Sequence, residues 1–300
     1  MNGIINFHKP QNVTSHDCVS VVRRLTGIKR VGHTGTLDPM ATGVLPICIG
    51  SATRVIEYLD QDEKTYRCDM QLGVETDTQD IWGQILRERP TDHLTPERIA
   101  EAVFSFQGDV VQIPPKYSAL KVNGRRLYEY ARAGQDVEIK SRHIFISKMQ
   151  LDSIQGSNVT FTVTCSKGTY VRTLCSDMGE KLGCGAAMSG LVRLATGMFR
   201  LEDAFTPEQL KTMTKEEIQK ILVPVDAPLS RFPSVTLPEQ TARDFTNGKS
   251  VLLPEDQKKD DSTGLVRVYY GSEFIGVGRL SGDGLTADKV FNTRLQHEGI

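Results

Sequence analysis

The sequence predicts an α+β protein: a mixed, largely antiparallel sheet with flanking helices, followed by a small β-rich module at the C-terminal end. Three observations predict it. Strand and helix signals mix along the chain without the regular alternation that a doubly wound parallel sheet requires. Two runs, residues 65–72 and 159–165, alternate cleanly at period two, as half-buried strands do. Pro224, Pro228, Pro233 and Pro238 crowd one short interval, which marks a linker, and strand signals follow it. The expected division is residues 1–232 and residues 233–300, and 300 residues suffice for both to bury a core.

In chain order, Gly3 to Phe7 read as a short strand. Thr14 to Asp17 fit a capping box; Cys18, Val21, Val22 and Leu25 then recur at helical spacing, and Gly27 stops the helix. Residues 31–43, rich in Gly and Thr, read as a loop, Val44 to Ile49 as a buried strand, and Thr53 to Leu59 as a short helix. In the first alternating run Tyr66, Cys68, Met70 and Leu72 share the apolar face. Thr95 opens a helix to about Phe106 with Pro96 at its first position. Residues 113–142 look irregular and basic. Val171, Leu174, Cys175, Met178 and Leu182 make a helical stripe ended by Gly183 and Gly185. Helices are expected after Thr206-Pro207 and over 215–222. In the tail, runs at 266–270 and 274–280 flank Gly271-Ser272, a two-residue hairpin turn.

The formal net charge of -1 gives no overall sign of a nucleic-acid binder. The distribution is more telling. Between Lys116 and Lys148 stand eight basic residues (Lys116, Lys121, Arg125, Arg126, Arg132, Lys140, Arg142, Lys148) and three acids, a local charge of +5. Arg23, Arg24, Lys29 and Arg30 form a second basic cluster, and acids gather at Glu255, Asp256, Asp260 and Asp261. A near-zero sum can therefore hide a basic face, although charge alone reads equally well as a set of solvated faces.

Several classes of chemistry find no support. The six cysteines (Cys18, Cys48, Cys68, Cys165, Cys175, Cys184) include no C-x-x-C pair and mostly sit in apolar runs, so zinc spacing is absent and buried free thiols in a reducing cytosol are expected. The N-terminus lacks the apolar run of a signal peptide, and no stretch is long and apolar enough to span a membrane. The glycines at 32, 35 and 43 are not followed by Lys-Ser/Thr, and Gly276, Gly278 and Gly282 do not fit G-x-G-x-x-G, so no nucleotide cofactor is expected.

The most unusual segment runs Gly32-His33-Thr34-Gly35-Thr36-Leu37-Asp38-Pro39 and on through Met40-Ala41-Thr42-Gly43-Val44-Leu45-Pro46. By itself an Asp-Pro is a turn former, and His33 alone is an ordinary surface or structural histidine. The whole segment, however, resembles the catalytic motif of the TruB family of tRNA pseudouridine synthases. Lys9-Pro10 with Thr14-Ser15 resembles that family's first motif, Lys64-Thr65-Tyr66 its tyrosine motif, Pro114 to Lys121 its RNA-contacting loop, and Lys167 to Leu174 its arginine motif. The motifs appear in the family's order and span most of residues 1–195.

The resemblance implies the pseudouridine synthase fold, a PUA-like RNA-binding module over 233–300, and isomerisation of uridine 55 in the T arm of tRNA. No cofactor or metal is implied, since the reaction is redox-neutral. Asp38 would be the catalytic aspartate, attacking C1′ or abstracting a proton to give an unsaturated sugar. Either route needs its carboxylate ionised in a closed pocket, and Arg172 would keep it so through a bidentate contact. Placement supports this: Arg172 falls near a predicted helix N-terminus, where a cation opposes the helix dipole. Tyr66, otherwise a core tyrosine by its position on the apolar face, would stack on the target base; Tyr170 would be a second pocket tyrosine. His33 would fill the space left by the flipped nucleotide. Lys9 and Lys64, together with Lys116, Lys121, Arg125 and Arg126 of a basic insert over about 113–148 that RNA would order, are the expected substrate-binding cations. The partner would be tRNA alone, with no obligate protein partner, the simplest oligomeric state a monomer, and the location cytoplasmic. A non-catalytic RNA-folding protein on the same scaffold and a guide-RNA-dependent synthase are the alternatives. Intact Asp38, Tyr66 and Arg172 favour an enzyme, and the long basic insert favours a stand-alone one.

Overall fold

The alternating run at Lys64–Leu72 lies inside a sheet, paired on both edges. In the computed structural model, which describes residues 1–254 and 263–291, this strand pairs antiparallel with Asn158–Cys165 on one side and Ala186–Thr196 on the other. Tyr66, Cys68, Met70 and Leu72 all face the core, as the period-two pattern requires. The sheet extends through Arg142–Gln155 to Gly108–Gln112 at one edge and through Thr42–Ile49 to Gly3–Lys9 at the other. Short strands Val31–His33 and Phe199–Arg200 complete nine strands. All pairings are antiparallel except that of Thr42–Ile49 with Ala186–Thr196.

Helices Pro96–Phe104 and Val171–Leu182 cover one part of this sheet. Val103, Leu174 and Met178 pack there on Tyr66, Met70, Phe161 and Val163. Helix Ser15–Thr26 covers another part, with Val19 and Val22 against Phe7, Leu45 and Ile47. Its ends follow the local chemistry. Thr14 and Asp17 form the capping box, and Gly27 leaves the helix at φ 73 in the left-handed region.

The tail forms a second sheet in the order Ser234–Thr236, Thr263–Tyr270, Glu273–Ser281, Gly284–Val290, Val251–Leu252, with helix Glu239–Thr246 on it. Tyr270 faces Glu273 across the Gly271-Ser272 turn, and Gly271 has φ 55. The proline-rich interval is not a free linker. Leu229 joins Val277 and Phe291 of the tail in one apolar cluster with Ile4, Val44 and Phe199 of the large sheet. Tyr58 bonds Asp288, and Lys289 pairs with Glu57 at 2.9 Å. The acidic cluster Glu255 to Asp261 lies outside the described residues.

The basic insert departs from expectation. It is ordered by its own short elements: strands Lys121–Val122 and Arg125–Arg126 form a hairpin, and helix Leu127–Arg132 follows. The turn is Asn123-Gly124, both at positive φ (51 and 81), which is the backbone that this dipeptide favours.

Candidate active site

The 34–41 loop leaves strand Val31–His33 and enters strand Thr42–Ile49, and its carbonyls are tied down almost one by one. Ser15, in the first turn of its helix, accepts from the Leu37 amide (2.9 Å) and donates to the Leu37 carbonyl (3.2 Å). Lys9 donates to the carbonyls of Pro39 (3.0 Å), Ala41 (2.7 Å) and Pro10 (3.0 Å). Arg193 donates to those of Gly35 (3.3 Å) and Val44 (2.6 Å). Asp38 therefore sits on a backbone fixed on both sides, which is the rigidity that a catalytic carboxylate needs.

Lys9 is thus no substrate contact. It is fully buried, with two of its donors on carbonyls of the 34–41 loop and the third on the Pro10 carbonyl. Burial pulls its ammonium down to about 8, against the nearby carboxylates of Asp38 and Asp17. Lys64 is also buried, with Nζ on the carbonyls of Asp60 (2.9 Å) and Asp62 (2.8 Å), and burial lowers its pKa, but it lines the pocket that holds Asp38. Sequence could not separate these two lysines from surface ones, because their acceptors are backbone groups placed by the fold.

Arg172 follows the N-cap residue Tyr170 by two positions, at the start of helix Val171–Leu182. Buried Gln112 holds that helix start, accepting from the Tyr170 amide (2.8 Å) and donating to its carbonyl (3.1 Å). The Arg172 guanidinium, 6% exposed, stands with Nε 2.9 Å from Asp38 Oδ2. The contact is an ion pair at one point, not a bidentate fork, since the Nε hydrogen is not aimed at the carboxylate. The other two nitrogens are taken: Nη1 donates to the Thr78 carbonyl (3.0 Å) and lies 3.5 Å from Asp80, and Nη2 donates to the Tyr117 carbonyl (3.0 Å). Burial raises the Asp80 pKa, while its Thr78 hydrogen bond and Arg172 act the other way. The Asp38 side chain is 42% exposed, so the pocket is open on its side rather than closed.

That pocket has a volume of about 260 Å³, and Asp38, Tyr66, Tyr170, Arg172 and Arg193 are among the residues lining it. Beside it a smaller cavity of about 90 Å³ runs between Leu37, Tyr66 and Leu191. Tyr66 is buried, and burial pushes its phenol above the ordinary value despite the counteracting Arg193 charge. Tyr170 is half-buried, with the Arg142 guanidinium 4.7 Å from its ring centroid. His33 lies in the wall of a neighbouring cavity of about 840 Å³ that shares Gly35, Thr36 and Asp60 with the pocket and reaches Asp288 and Lys289 of the tail. Burial and then Arg193 lower the His33 pKa. The larger cavity is not lined by Asp38 or Arg172.

Arg193 and Asp80 are the site residues that sequence reading missed. Arg193 lies on Ala186–Thr196, a strand that its alanines and Gly190 conceal, and Asp80 lies in a turn of polar residues.

The insert presents Lys116, Lys121 and Arg126 on the surface, with Arg125 half-buried. Arg126 and Arg132 lie 5.8 and 5.4 Å from the Tyr128 ring centroid, and Arg125 lies 4.8 Å from that of Tyr130. Lys116 is ion-paired to exposed Asp136 at 2.7 Å. Among the described residues no cluster of three or more His, Cys, Asp or Glu is placed to hold a metal ion, and no helix is long and apolar enough to cross a membrane. All six cysteines are buried free thiols.

Comparison with known proteins covers most of the chain. Residues 23–171 match the family described as TruB family pseudouridylate synthase (N terminal domain). Residues 172–230 match the tRNA pseudouridylate synthase B C-terminal domain, and residues 233–290 match Pseudouridine synthase II TruB, C-terminal. Fold and site together define a pseudouridylate synthase. The chain belongs to the TruB family. Among curated relatives, the tRNA pseudouridine synthase B of Alkaliphilus oremlandii is 46% identical over 280 residues, 93% of each chain. That of Clostridium tetani is 41% identical over 290 residues, 97% of this chain and 99% of the relative. A solved Cbf5-Nop10-Gar1 complex contains a chain that matches at a TM-score of 0.73 and 26% identity, covering 97% of this chain and 85% of that one.

Proposed function

We propose that this protein converts uridine 55 in the T arm of tRNA to pseudouridine, acting alone in the cytoplasm and without a cofactor. The relatives named tRNA pseudouridine synthase B support the substrate class; the uridine position rests on the motif resemblance. The observation that carries the reading is the Asp38–Arg172 pair at 2.9 Å, with the carboxylate open to the pocket and the guanidinium buried behind it.

The reaction breaks C1′–N1, turns the uracil and rejoins it through C5. The target nucleoside must leave the T-loop stack to reach the pocket. Tyr66 offers its ring face to the uracil from one wall and Leu191 an apolar contact from another. Tyr170, in the pocket wall, and His33, in the adjoining cavity, stack on or replace bases displaced by the flip. Asp38 then attacks C1′, or removes a sugar proton, from a loop whose carbonyls are held by Ser15, Lys9 and Arg193. Lys116, Lys121, Arg125 and Arg126 grip phosphates from the insert.

The test is tritium release from unmodified tRNA labelled at uridine C5, with purified protein alone. C5 must lose its hydrogen to bond the sugar. One label released per tRNA by wild type and none by Asp38→Asn supports the reading. Binding without release by the wild type would instead favour a tRNA-folding protein or a missing partner. A known solved relative sits in a complex with Nop10 and Gar1, which makes the protein-alone condition informative.

A further inference from the structure

Arg193 is the largest fully buried side chain described, at 0% exposure, and it has no acidic partner among the described residues: no carboxylate lies within ion-pair distance. Its Nε and Nη2 are spent on backbone carbonyls, Nη1 makes no hydrogen bond of good geometry, and the guanidinium lies close enough to the Tyr66 hydroxyl to act on it. A buried charge left without a counter-charge is costly, so its retention asks for a reason. Two carbonyl contacts explain why the head is held still. They do not explain why it must be charged, because a neutral amide could donate to carbonyls as well.

Its position supplies the reason. Arg193 stands directly opposite Tyr66 in the antiparallel ladder, so the two side chains share one face. A register shift follows immediately between Arg193 and Ala195, the kind of irregularity that re-aims a side chain beside a site. Both residues line the pocket that holds Asp38. Its placement there is backed by Gly43, which at φ 106 lets strand Thr42–Ile49 close on the Arg193 backbone; a Cβ at that position would meet the Arg193 amide nitrogen at 2.7 Å.

We propose that Arg193 provides the fixed positive charge against which the uracil departs as an anion. The inference rests on the uridine-isomerase reading above and holds for both chemical routes. If Asp38 attacks, a C1′–O bond forms and C1′–N1 breaks, its electron pair passing to the uracil. If Asp38 takes the C2′ proton, the C2′–H electron pair forms the sugar double bond and the C1′–N1 pair again leaves with the uracil. Either way the ring carries one negative charge, shared among N1, O2, O4 and C5. Bonding of C5 to C1′ then consumes that charge: in the first route the C1′–O bond breaks and its electron pair returns to the Asp38 carboxylate, and in the second the sugar double bond takes the proton back from Asp38 at C2′. The C5 proton is then lost to a base and N1 gains a proton, so the sum is an isomerisation. A preorganised cation in a site sheltered from water is the efficient way to stabilise such transient charge. Tyr66, which lines the same pocket, lies within reach of the Arg193 charge.

The experiment compares uridine with 5-fluorouridine at the target position of the same transcript, in wild type, Arg193→Lys and Arg193→Gln. Consumption of the target nucleoside is followed by mass spectrometry of digests. Fluorine at C5 makes the uracil a better anionic leaving group, so it substitutes for part of what the cation does. Arg193→Gln is expected to slow uridine turnover on the order of a hundredfold and 5-fluorouridine consumption much less, so that the ratio of the two rates rises about tenfold over wild type. Arg193→Lys, which keeps the charge, should keep the ratio. Because both rates come from one preparation, any unfolded fraction cancels from the ratio. A ratio unchanged in Arg193→Gln, with wild type active on uridine, overturns the charge role and leaves Arg193 a brace for the catalytic loop. An inactive wild type would instead count against the isomerase reading itself.

Discussion

Replacing Arg172 by Met removes a buried guanidinium that four groups share: the Asp38 and Asp80 carboxylates and the carbonyls of Thr78 and Tyr117. Asp80, with a side chain 15% exposed, would keep only its Thr78 hydroxyl and Trp82 amide. Breaking a buried pair from one side costs about 3–5 kcal/mol. In a chain of this size that lowers Tm by on the order of 10 °C. Asp38→Asn is the control. Its side chain is 42% exposed and its loss leaves Arg172 three other partners, so its stability cost is about 1 kcal/mol or less. Urea unfolding of the three proteins measures this directly, and tritium release measures turnover. Arg172→Met should lose both stability and at least about a hundredfold in rate through a misplaced carboxylate, whereas Asp38→Asn should lose rate alone. If Arg172→Met is destabilised by no more than Asp38→Asn, the reading of Arg172 as a buried four-way hub is wrong.

Other outcomes follow from the same geometry. Lys9→Met should leave tRNA affinity unchanged, because the ammonium never reaches the surface; weakened binding in filter assays would contradict that. Folded Lys9 sheds its proton near 8 rather than its ordinary 10.5. The unfolded chain therefore binds more protons between those values, and wild-type stability relative to Lys9→Met should rise as pH climbs through that window; a flat difference would oppose it. Gly43→Ala should cost more than about 2 kcal/mol in urea unfolding, since a side chain is both strained at that φ and driven into the Arg193 backbone. Reversing the charges of Arg125 and Arg126 should weaken tRNA binding and make the slope of log affinity against log salt shallower by about 0.7–0.9 for each phosphate that is no longer neutralised. An unchanged slope would remove the insert's arginines from the interface.

Much of the local structure could be read from neighbouring residues. The capping box at Thr14 and Asp17, the left-handed exit at Gly27 and the alternating burial of Lys64–Leu72 all depend on spacings of two to four residues. The Asn123-Gly124 turn was equally readable but stood among charged residues rather than apolar strands, so the insert looked irregular. Other strands were not readable: Arg142–Gln155 lacks clean alternation, and Ala186–Thr196 mixes small residues and an arginine among its apolar ones.

For the site, the sequence by itself determined which groups could do chemistry: one Asp in a glycine- and threonine-rich loop, a tyrosine on a strand, an arginine at a helix start. The pairing of Asp38 with Arg172 entered through family resemblance, because no spacing rule links residues so far apart. Tertiary structure decided what each cation is for. Lys9 and Lys64, basic in the same sense as Lys121, became internal braces because backbone carbonyls surround them. Arg193 was brought from far along the chain to a strand between those of Tyr66 and Val44, a reach of 149 residues for the latter contact. A charged side chain's role is set by what it faces once water is removed, and that depends on strand pairings between distant segments, which local sequence patterns do not encode.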